Sequence, residues 1–209
     1  MNPAVSRHLR APLAAFLLGA ASVAGFAPLA LAPLPLLTGA GLLWLWQGAA
    51  TPRRAATLGF AFGLGLFLSG VSWVYISLHD FGAMPAALAA LATFLFCAIL
   101  ASYPALVGYL QARLAGPLAP RQLLLIPALW ALSEWLRAWV FTGFPWLSFG
   151  YSQAGSPLAG YAPLSGVFGL SFLVWLGAGL LLGLTRMRQR GAALAGFVFV
   201  LGLGYGLAR

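Results

Sequence analysis

The chain has 209 residues, of which 62% are hydrophobic and 6% are charged, and its formal net charge is +9 at pH 7. An average soluble domain has about 25% charged residues, so this composition excludes an ordinary soluble protein and predicts an integral membrane protein. The basic residues, all arginines, lie in small groups between apolar runs, which argues against a nucleic-acid-binding protein.

Apolar segments long enough to cross a membrane follow one another along the chain. A helix needs about 20 apolar residues to cross a hydrocarbon core of about 30 Å. Pro28, Pro33 and Pro35 interrupt the first long run and predict a tight reversal at 26–35, because proline lacks a donor N–H. The predicted spans are 11–26, 34–50, 55–78, 86–112, 122–140, 163–184 and 191–208. The predicted fold class is therefore all-α, a polytopic membrane helix bundle with about seven transmembrane helices.

The arginines predict the orientation of these spans, since basic loops stay on the cytoplasmic side of a membrane. Nine of them share one side of a seven-span bundle: Arg7, Arg10, Arg53, Arg54, Arg113, Arg121, Arg186, Arg188 and Arg190. The other side receives Arg137 and Arg209. We therefore expect the amino terminus inside the cell and the carboxyl terminus outside. An error of one span would scatter the nine arginines across both faces.

The amino-terminal segment has a second interpretation. Arg7 and Arg10, followed by a short apolar run and the small residues SVAG, are similar to a secretory signal peptide. An uncleaved first span is favoured, because a multi-span protein needs no removable signal and the next span begins almost at once. Cleavage would leave the remaining topology unchanged.

Two opposite charges lie within the fifth predicted span, in LWALSEWLRAWVF. Glu134 and Arg137 are three residues apart, so their side chains share a helix face. Charges within a bilayer are costly and prompt a functional hypothesis. One interpretation is a structural ion pair that lowers the desolvation cost of both groups. The other is that Arg137 meets an anionic lipid phosphate while Glu134 holds it in place.

The stretch FTGFPWLSFGYSQ, residues 141–153, interrupts the apolar pattern at the predicted outer face. Gly143, Pro145 and Gly150 break a helix, and Gln153 needs hydrogen-bond partners. Irregular backbone at membrane depth survives only against protein or a wet cavity, so we expect a partly re-entrant lip beside a lipid-accessible opening. The aromatic residues of an interfacial belt cluster at the same boundary: Trp73, Tyr75, Trp135, Trp139, Trp146 and Tyr151.

The remaining polar or small positions predict structural roles. Asp80, beside His79, is expected to cap the next helix, and Cys97 is expected to be an inert packing residue. Two glycine pairs with helix-packing spacing predict close contacts: Gly59 with Gly63, and Gly202 with Gly206. With two acidic residues, no lysine and one cysteine, the sequence holds no complete catalytic set. No metal site and no cofactor are predicted.

Four segments carry recognisable motifs: GFAPLALAPL, GVSWVYISLHDFGAMP, LWALSEWLRAWVFTGFPWLSFGYSQ and SPLAGYAPLSGVFGLSFL. Together they resemble the membrane half of the bacterial apolipoprotein N-acyltransferase family, through all the predicted spans. The resemblance implies a multi-pass enzyme of the bacterial inner membrane. Such an enzyme moves an acyl chain from a phospholipid donor to the amino-terminal cysteine of a diacylated apolipoprotein, at the outer face and through a thioester.

In that family the chemistry belongs to a nitrilase-like domain with a Glu, Lys and Cys triad, inserted after the seventh span. The sequence ends at Arg209, about where that domain would begin, and Cys97 matches no nucleophile position. The resemblance therefore implies a lipid-embedded platform that is inactive by itself. A truncated protein, an interrupted gene and a catalytic half on a separate chain all stay open.

The same resemblance makes residues of the outer face candidates for lipid or substrate binding. They are Trp73, Tyr75, His79, Glu134, Arg137, Phe144, Trp146, Tyr151 and Gln153. We expect the stretch 141–153 to form an outer lip on which lipid chains and the catalytic domain rest, with its aromatic residues along an acyl path.

Two alternatives come from other classes. Related membrane halves are fused to or paired with polyprenyl-phosphate glycosyltransferases, so the chain could be a membrane scaffold for a separate partner enzyme. A proton-coupled transporter using Glu134 and Asp80 would need an inverted repeat, and the sequence has no visible one.

Overall fold

The computed structural model of the chain describes residues 3–114, 121–185 and 190–207, with side chains from residue 10 onward. All regular structure in these ranges is helical, which confirms the predicted all-α class. Several arginines used for the orientation, Arg186, Arg188 and Arg209, lie outside the described residues, as does the side chain of Arg7.

The α-helices are α1 (Pro3–Ser22), α2 (Pro33–Gln47), α3 (Pro52–Gly70), α4 (Trp73–Ile76), α5 (Ala86–Arg113), α6 (Ile126–Arg137), α7 (Ala162–Leu184) and α8 (Arg190–Leu207). Wider π-helical turns follow α4 at Ser77–Phe81 and precede α6 at Arg121–Leu125. Tighter 3-10 turns lie at Val23–Gly25, Val140–Thr142, Phe149–Gln153 and Pro157–Tyr161.

Helix starts follow from local sequence. Thr51 caps α3, where its side chain accepts a hydrogen bond from the backbone N–H of Arg54 at 3.2 Å and Pro52 follows in the first turn. Proline also stands in the first turn of α2, α6 and α7, where its missing N–H costs no helical hydrogen bond.

Three helices in the described ranges are long and apolar enough to cross a membrane: α5, the helix Pro157–Leu184 that contains α7, and α8. Helix α3 and the segment Trp73–Phe81 supply a fourth crossing if they are counted together, with a bend of 51° between them. The segment predicted at 55–78 therefore contains a break, at which Val71 leaves the helical conformation. Seven crossings remain a prediction.

Close helix packing depends on small residues. A Cβ added at Gly63 would come within 2.9 Å of Ala101 Cα on α5, and Gly59 lies against the backbone of Pro104. The packing predicted for this pair is confirmed. No such packing is seen for Gly202 and Gly206, where an added Cβ would meet no atom of another described segment within 4 Å. Helix α8 instead turns Gly204 toward the backbone of Pro157, two positions along the helix.

Aromatic rings fill the centre of the bundle. Trp130 and Trp175 have ring centroids 4.1 Å apart, and Phe149 lies 5.2 Å from Trp130 and 5.8 Å from Trp175. Cys97 is fully buried with the core residues, in agreement with a packing role. Because Phe149 lies in the middle of the segment between α6 and α7, this core holds the middle of that segment inside the bundle.

Candidate functional site

The segment between α6 and α7, residues 138–161, is called the outer loop after the side of the membrane predicted for it. Its backbone takes positive φ angles at Phe141 (52°), Thr142 (72°), Gly143 (83°) and Leu147 (58°). Such a path cannot continue the hydrogen bonds of a helix, and in a membrane each freed amide group must find another partner. Two buried charges at the end of α6 supply those partners.

Arg137 satisfies carbonyl groups in the first half of the outer loop. Its side chain is 3% exposed, and its guanidinium donates to the carbonyl oxygens of Phe144 and Trp146 and to Ser148 Oγ. The bond to Trp146 is 2.6 Å and the bond to Ser148 is 3.2 Å. The guanidinium also lies 5.2 Å from the ring centroid of Phe67, within cation–π range.

Glu134 satisfies N–H groups in the second half of the same loop. Its Oε1 accepts from the Phe149 backbone N–H at 2.9 Å and from Trp130 Nε1 at 2.8 Å. Its Oε2 accepts from the hydroxyl of Ser171 on α7, and that hydroxyl accepts from the Gly150 backbone N–H at 2.8 Å. The carboxylate therefore joins α6, the loop and α7.

The two charged side chains bind opposite kinds of backbone group in the same loop. The cation holds carbonyl groups and the anion holds N–H groups, so each charge is compensated by peptide dipoles. No nitrogen of Arg137 lies within 4.0 Å of a Glu134 oxygen, so the direct ion pair suggested by their spacing is not formed. The loop groups lie within hydrogen-bond distance of the two side chains and occupy their donors and acceptors.

The space between these groups is too small for a ligand. Its volume is about 10 Å³, room for about one water molecule, and its polar lining comes from Tyr103, Ser133, Glu134 and Arg137. The sequence suggested a lipid phosphate as the partner of Arg137. In the structure its donors meet the loop, because the loop carbonyls fold back onto the end of α6.

Three predicted site residues meet at the surface and form, with one further residue, the aromatic cluster: Trp73, Phe96, Phe144 and Trp146. Trp146 lies 5.2 Å from Phe144 and 6.0 Å from Trp73 between ring centroids. Phe96 on α5 meets Phe144 edge-on at 5.0 Å. Trp73 is 41% exposed and Trp146 is 51% exposed, so the cluster presents an open apolar face.

The other predicted site residues lie elsewhere. Tyr75 and His79 form a pair with ring centroids 5.4 Å apart, and His79 Nδ1 lies 2.8 Å from the carbonyl oxygen of Met84. Tyr151 is exposed, and among the described residues it makes no ring contact with the aromatic cluster. Among the described residues, none of the three makes a ring contact with the aromatic cluster.

Gln153 is buried and has a structural set of partners. Its Nε2 donates to the carbonyl of Ala32 at 2.9 Å and to Ser152 Oγ at 2.8 Å, and its Oε1 accepts from Ser156 Oγ at 2.9 Å. The side chain therefore ties the outer loop to the connection between α1 and α2. A substrate could reach it only by displacing these bonds.

Two contributors escaped the sequence analysis. Phe96 lies in the uniform run ATFLFCAIL, where nothing distinguishes it from its apolar neighbours. Ser171 is a small polar residue within an apolar helix. A hydroxyl is costly in a bilayer, and this cost is a signal by which the sequence could have identified it. Phe96 comes from α5, more than 40 residues before the loop that it contacts, whereas Ser171 lies on α7, which directly follows the loop.

The arrangement presents an apolar surface, and its charged groups face inward. Its acid and its guanidinium are occupied by the loop backbone, and the described residues contain no group of three possible metal ligands. What the loop exposes is aromatic surface: Trp146 of the cluster and, outside the cluster, Trp139 and Phe141.

Residues 18–180 match the family model described as the apolipoprotein N-acyltransferase N-terminal domain. The chain is 50% identical to the apolipoprotein N-acyltransferase of Nitrosomonas europaea over 93% of its own length and 39% of that relative. It is 46% identical to the enzyme of that name from Ralstonia nicotianae, over 98% of this chain and 40% of the relative. For the Vibrio vulnificus relative the identity is 41%, over 100% of this chain and 41% of the relative. The chain thus spans about two fifths of the length of these curated relatives.

Proposed function

Since the chain belongs to the apolipoprotein N-acyltransferase family through its N-terminal domain, we propose that it forms the membrane platform of such an enzyme. The enzyme transfers an acyl chain from a phospholipid to the amino-terminal cysteine of a diacylated lipoprotein. The platform lies in the bacterial inner membrane and holds the donor lipid at the outer loop. None of the relatives described above is named as a scaffold for a glycosyltransferase.

The observation that supports the proposal is the aromatic cluster, in which Trp73 and Trp146 are exposed and Phe144 and Trp146 lie on a loop held by Arg137. An acyl chain needs apolar surface, which Trp73, Phe144 and Trp146 provide, and Arg137 fixes the backbone of two of them by its bonds to the carbonyls of Phe144 and Trp146. Rigid aromatic rings lose little conformational entropy on binding. In this proposal Glu134 and Arg137 position the loop, while Trp73, Phe144, Trp146 and Tyr151 contact lipid.

The chemistry is proposed to need groups beyond these residues. The sequence contains two acids, no lysine and one cysteine, and Cys97 is buried among packing residues. A thiol nucleophile must be reachable by its substrate and able to ionise, which this position opposes. We therefore expect the 209-residue chain by itself to show no acyl transfer.

The test is replacement of Trp146 by Ala at the matching position of the full-length Nitrosomonas europaea relative. Acylation of a diacylated lipoprotein should fall at least about tenfold at equal expression, because a buried contact of about 1.5 kcal/mol with the acyl chain is lost. The matched control is Trp139→Ala, since Trp139 is equally aromatic and 70% exposed but lies outside the cluster. Equal activity of both variants would refute the role of the cluster.

The orientation is proposed from the arginines and can be tested separately. In a Cys97→Ala background, a cysteine at the exposed position Ala154 of the outer loop should react with an impermeant maleimide in intact spheroplasts. A cysteine at the exposed position Arg53 should react only after lysis. The reverse pattern would place the outer loop in the cytosol and remove the proposed lipid site from the outer face.

A further inference from the structure

The membrane segment that begins with α3 is broken just before the aromatic cluster. Helix α3 ends at Gly70, and the segment Trp73–Phe81 continues at an angle of 51° to it. At the break, Val71 is fully buried and has φ −123° and ψ 10°. In the described part of the chain, the hydrogen bonds of Trp73–Phe81 stay within residues 71–84. The direction of the segment therefore depends on the backbone at the break and on side-chain packing.

A leucine of the outer loop fills the space that Gly70 leaves at this break. A Cβ added at Gly70 would come within 2.5 Å of Leu147 Cδ1 and within 3.3 Å of Val23 Cγ2. Leu147 has φ 58°, a left-handed conformation that persists in such a residue only where its surroundings hold it. Its side chain is half-buried and packs against the hydrophobic core. Because the end of a leucine side chain can rotate, alanine at position 70 should displace Leu147 without preventing folding.

The contact between Gly70 and Leu147 lies beside both tryptophans of the aromatic cluster. Gly70 lies three residues before Trp73, and Leu147 directly follows Trp146. The ring centroids of the two tryptophans are 6.0 Å apart, and Trp73 also stacks on Phe144 at 6.4 Å. A change at the contact is therefore transmitted through very few residues to each ring.

We propose that Gly70 and Leu147 are positioning residues for the binding of an acyl chain. Leu147, packed into the space that Gly70 leaves, sets the angle between α3 and the segment Trp73–Phe81. The angle in turn sets the separation of the Trp73 and Trp146 rings. The inference rests on the proposed function for its ligand, an acyl chain against the aromatic cluster.

The first experiment follows the two rings by fluorine NMR of the 209-residue chain, labelled with fluorotryptophan and held in detergent. Trp73→Phe and Trp146→Phe assign the two resonances. Gly70→Ala should displace both of them, because its methyl group moves the end of the Leu147 side chain. The exposed Trp44 on α2 lies outside the cluster and should keep its resonance.

Further variants separate positioning from general damage. Adding Leu147→Ala to Gly70→Ala should return both resonances toward their parental positions, because the new methyl group then occupies the space that the leucine leaves. Leu147→Ala alone adds no atoms and should broaden the Trp73 resonance by freeing the bend. Gly202→Ala is the matched control and should change neither resonance, since an added Cβ there meets no other described segment. Parental resonances in Gly70→Ala, a double variant displaced as far as the single one, or an unchanged line width in Leu147→Ala would overturn the proposal.

The second experiment tests the ligand with a phosphatidylcholine that carries a nitroxide near the end of one acyl chain. It should broaden the resonances of Trp73 and Trp146 at a lower lipid concentration than that of Trp44. Gly70→Ala should raise the concentration needed roughly 3- to 10-fold, because the chain then contacts the two rings less closely. Equal broadening of all three rings in the parent would refute the lipid site of the proposed function. A specific lipid site with parental affinity in Gly70→Ala would instead refute the positioning role alone.

Discussion

The role of Glu134 in holding the outer loop can be measured by comparing two substitutions. Glu134→Ala removes the acceptor for Trp130 Nε1 and for the Phe149 N–H, and both donors are buried. Each buried donor left without a partner costs about 1–3 kcal/mol, so the two together cost about 2–6 kcal/mol. The side chain also leaves a void in the core.

Glu134→Gln removes the same charge but keeps the hydrogen bonds. Its amide oxygen can accept from Trp130 and Phe149, and its amide N–H can donate to Ser171 Oγ. The Ser171 hydroxyl can then donate to the Val167 carbonyl, which already lies 3.1 Å away. The Coulomb term lost with Arg137 is below about 4 kcal/mol, the value for charges 4 Å apart at an effective dielectric constant of about 20. Both variants lose that term alike.

The difference between the two variants therefore isolates the hydrogen bonds to the loop. Thermal unfolding in detergent, followed by tryptophan fluorescence at one scan rate, should place Glu134→Ala at least about 4 °C below Glu134→Gln. This shift follows from about 2 kcal/mol at about 2–4 °C per kcal/mol for a chain of this size. If the two variants melt together, the carboxylate does not hold the loop by hydrogen bonding.

Other substitutions probe separate contacts. In Arg137→Lys the ammonium group lacks the planar fork of donors with which the guanidinium reaches two carbonyls and a hydroxyl. The outer loop should therefore be held less firmly, and chymotrypsin should cleave it faster than in the parent. An unchanged cleavage rate would contradict the positioning role of Arg137. Gly59→Ala places a methyl group against the α5 backbone and should lower the free energy of unfolding by about 1–3 kcal/mol, as measured by thermal unfolding. The matched control is Gly202→Ala, which should not lower the free energy of unfolding because its methyl group meets no other described segment. Tyr161→Phe removes the hydrogen bond from the tyrosine hydroxyl to the Val200 carbonyl on α8 and should lower the melting temperature by about 2–4 °C. A melting temperature equal to that of the parent would show that this hydrogen bond does not stabilise the fold.

The aromatic residues show which part of the candidate site could be predicted from the sequence. Trp73 and Trp146 stood out because tryptophan marks the boundary of a membrane, and both do lie exposed in one cluster. Tyr151 has the same composition signal but no ring contact with the cluster among the described residues. Composition locates a belt at a membrane boundary, and it cannot tell which rings on that belt touch.

The charged pair shows the opposite case. The spacing of Glu134 and Arg137 correctly put both side chains on one face of α6, and it suggested a contact between them. Their hydrogen-bond partners lie 7 to 37 residues away along the chain, apart from Trp130 one turn before Glu134. A pattern on one helix carries no information about which distant backbone groups will fold onto it.

Apolar composition and helix signals were sufficient to predict an all-helical membrane domain, since every backbone group in a bilayer must be satisfied and a helix does this within its own segment. The bend after Gly70, the identity of the α5 backbone that Gly59 packs against and the fastening of the outer loop were decided by tertiary structure. Each depends on atoms that meet across helices, where a carbonyl or N–H freed by an irregular path takes the nearest available partner regardless of its distance in sequence.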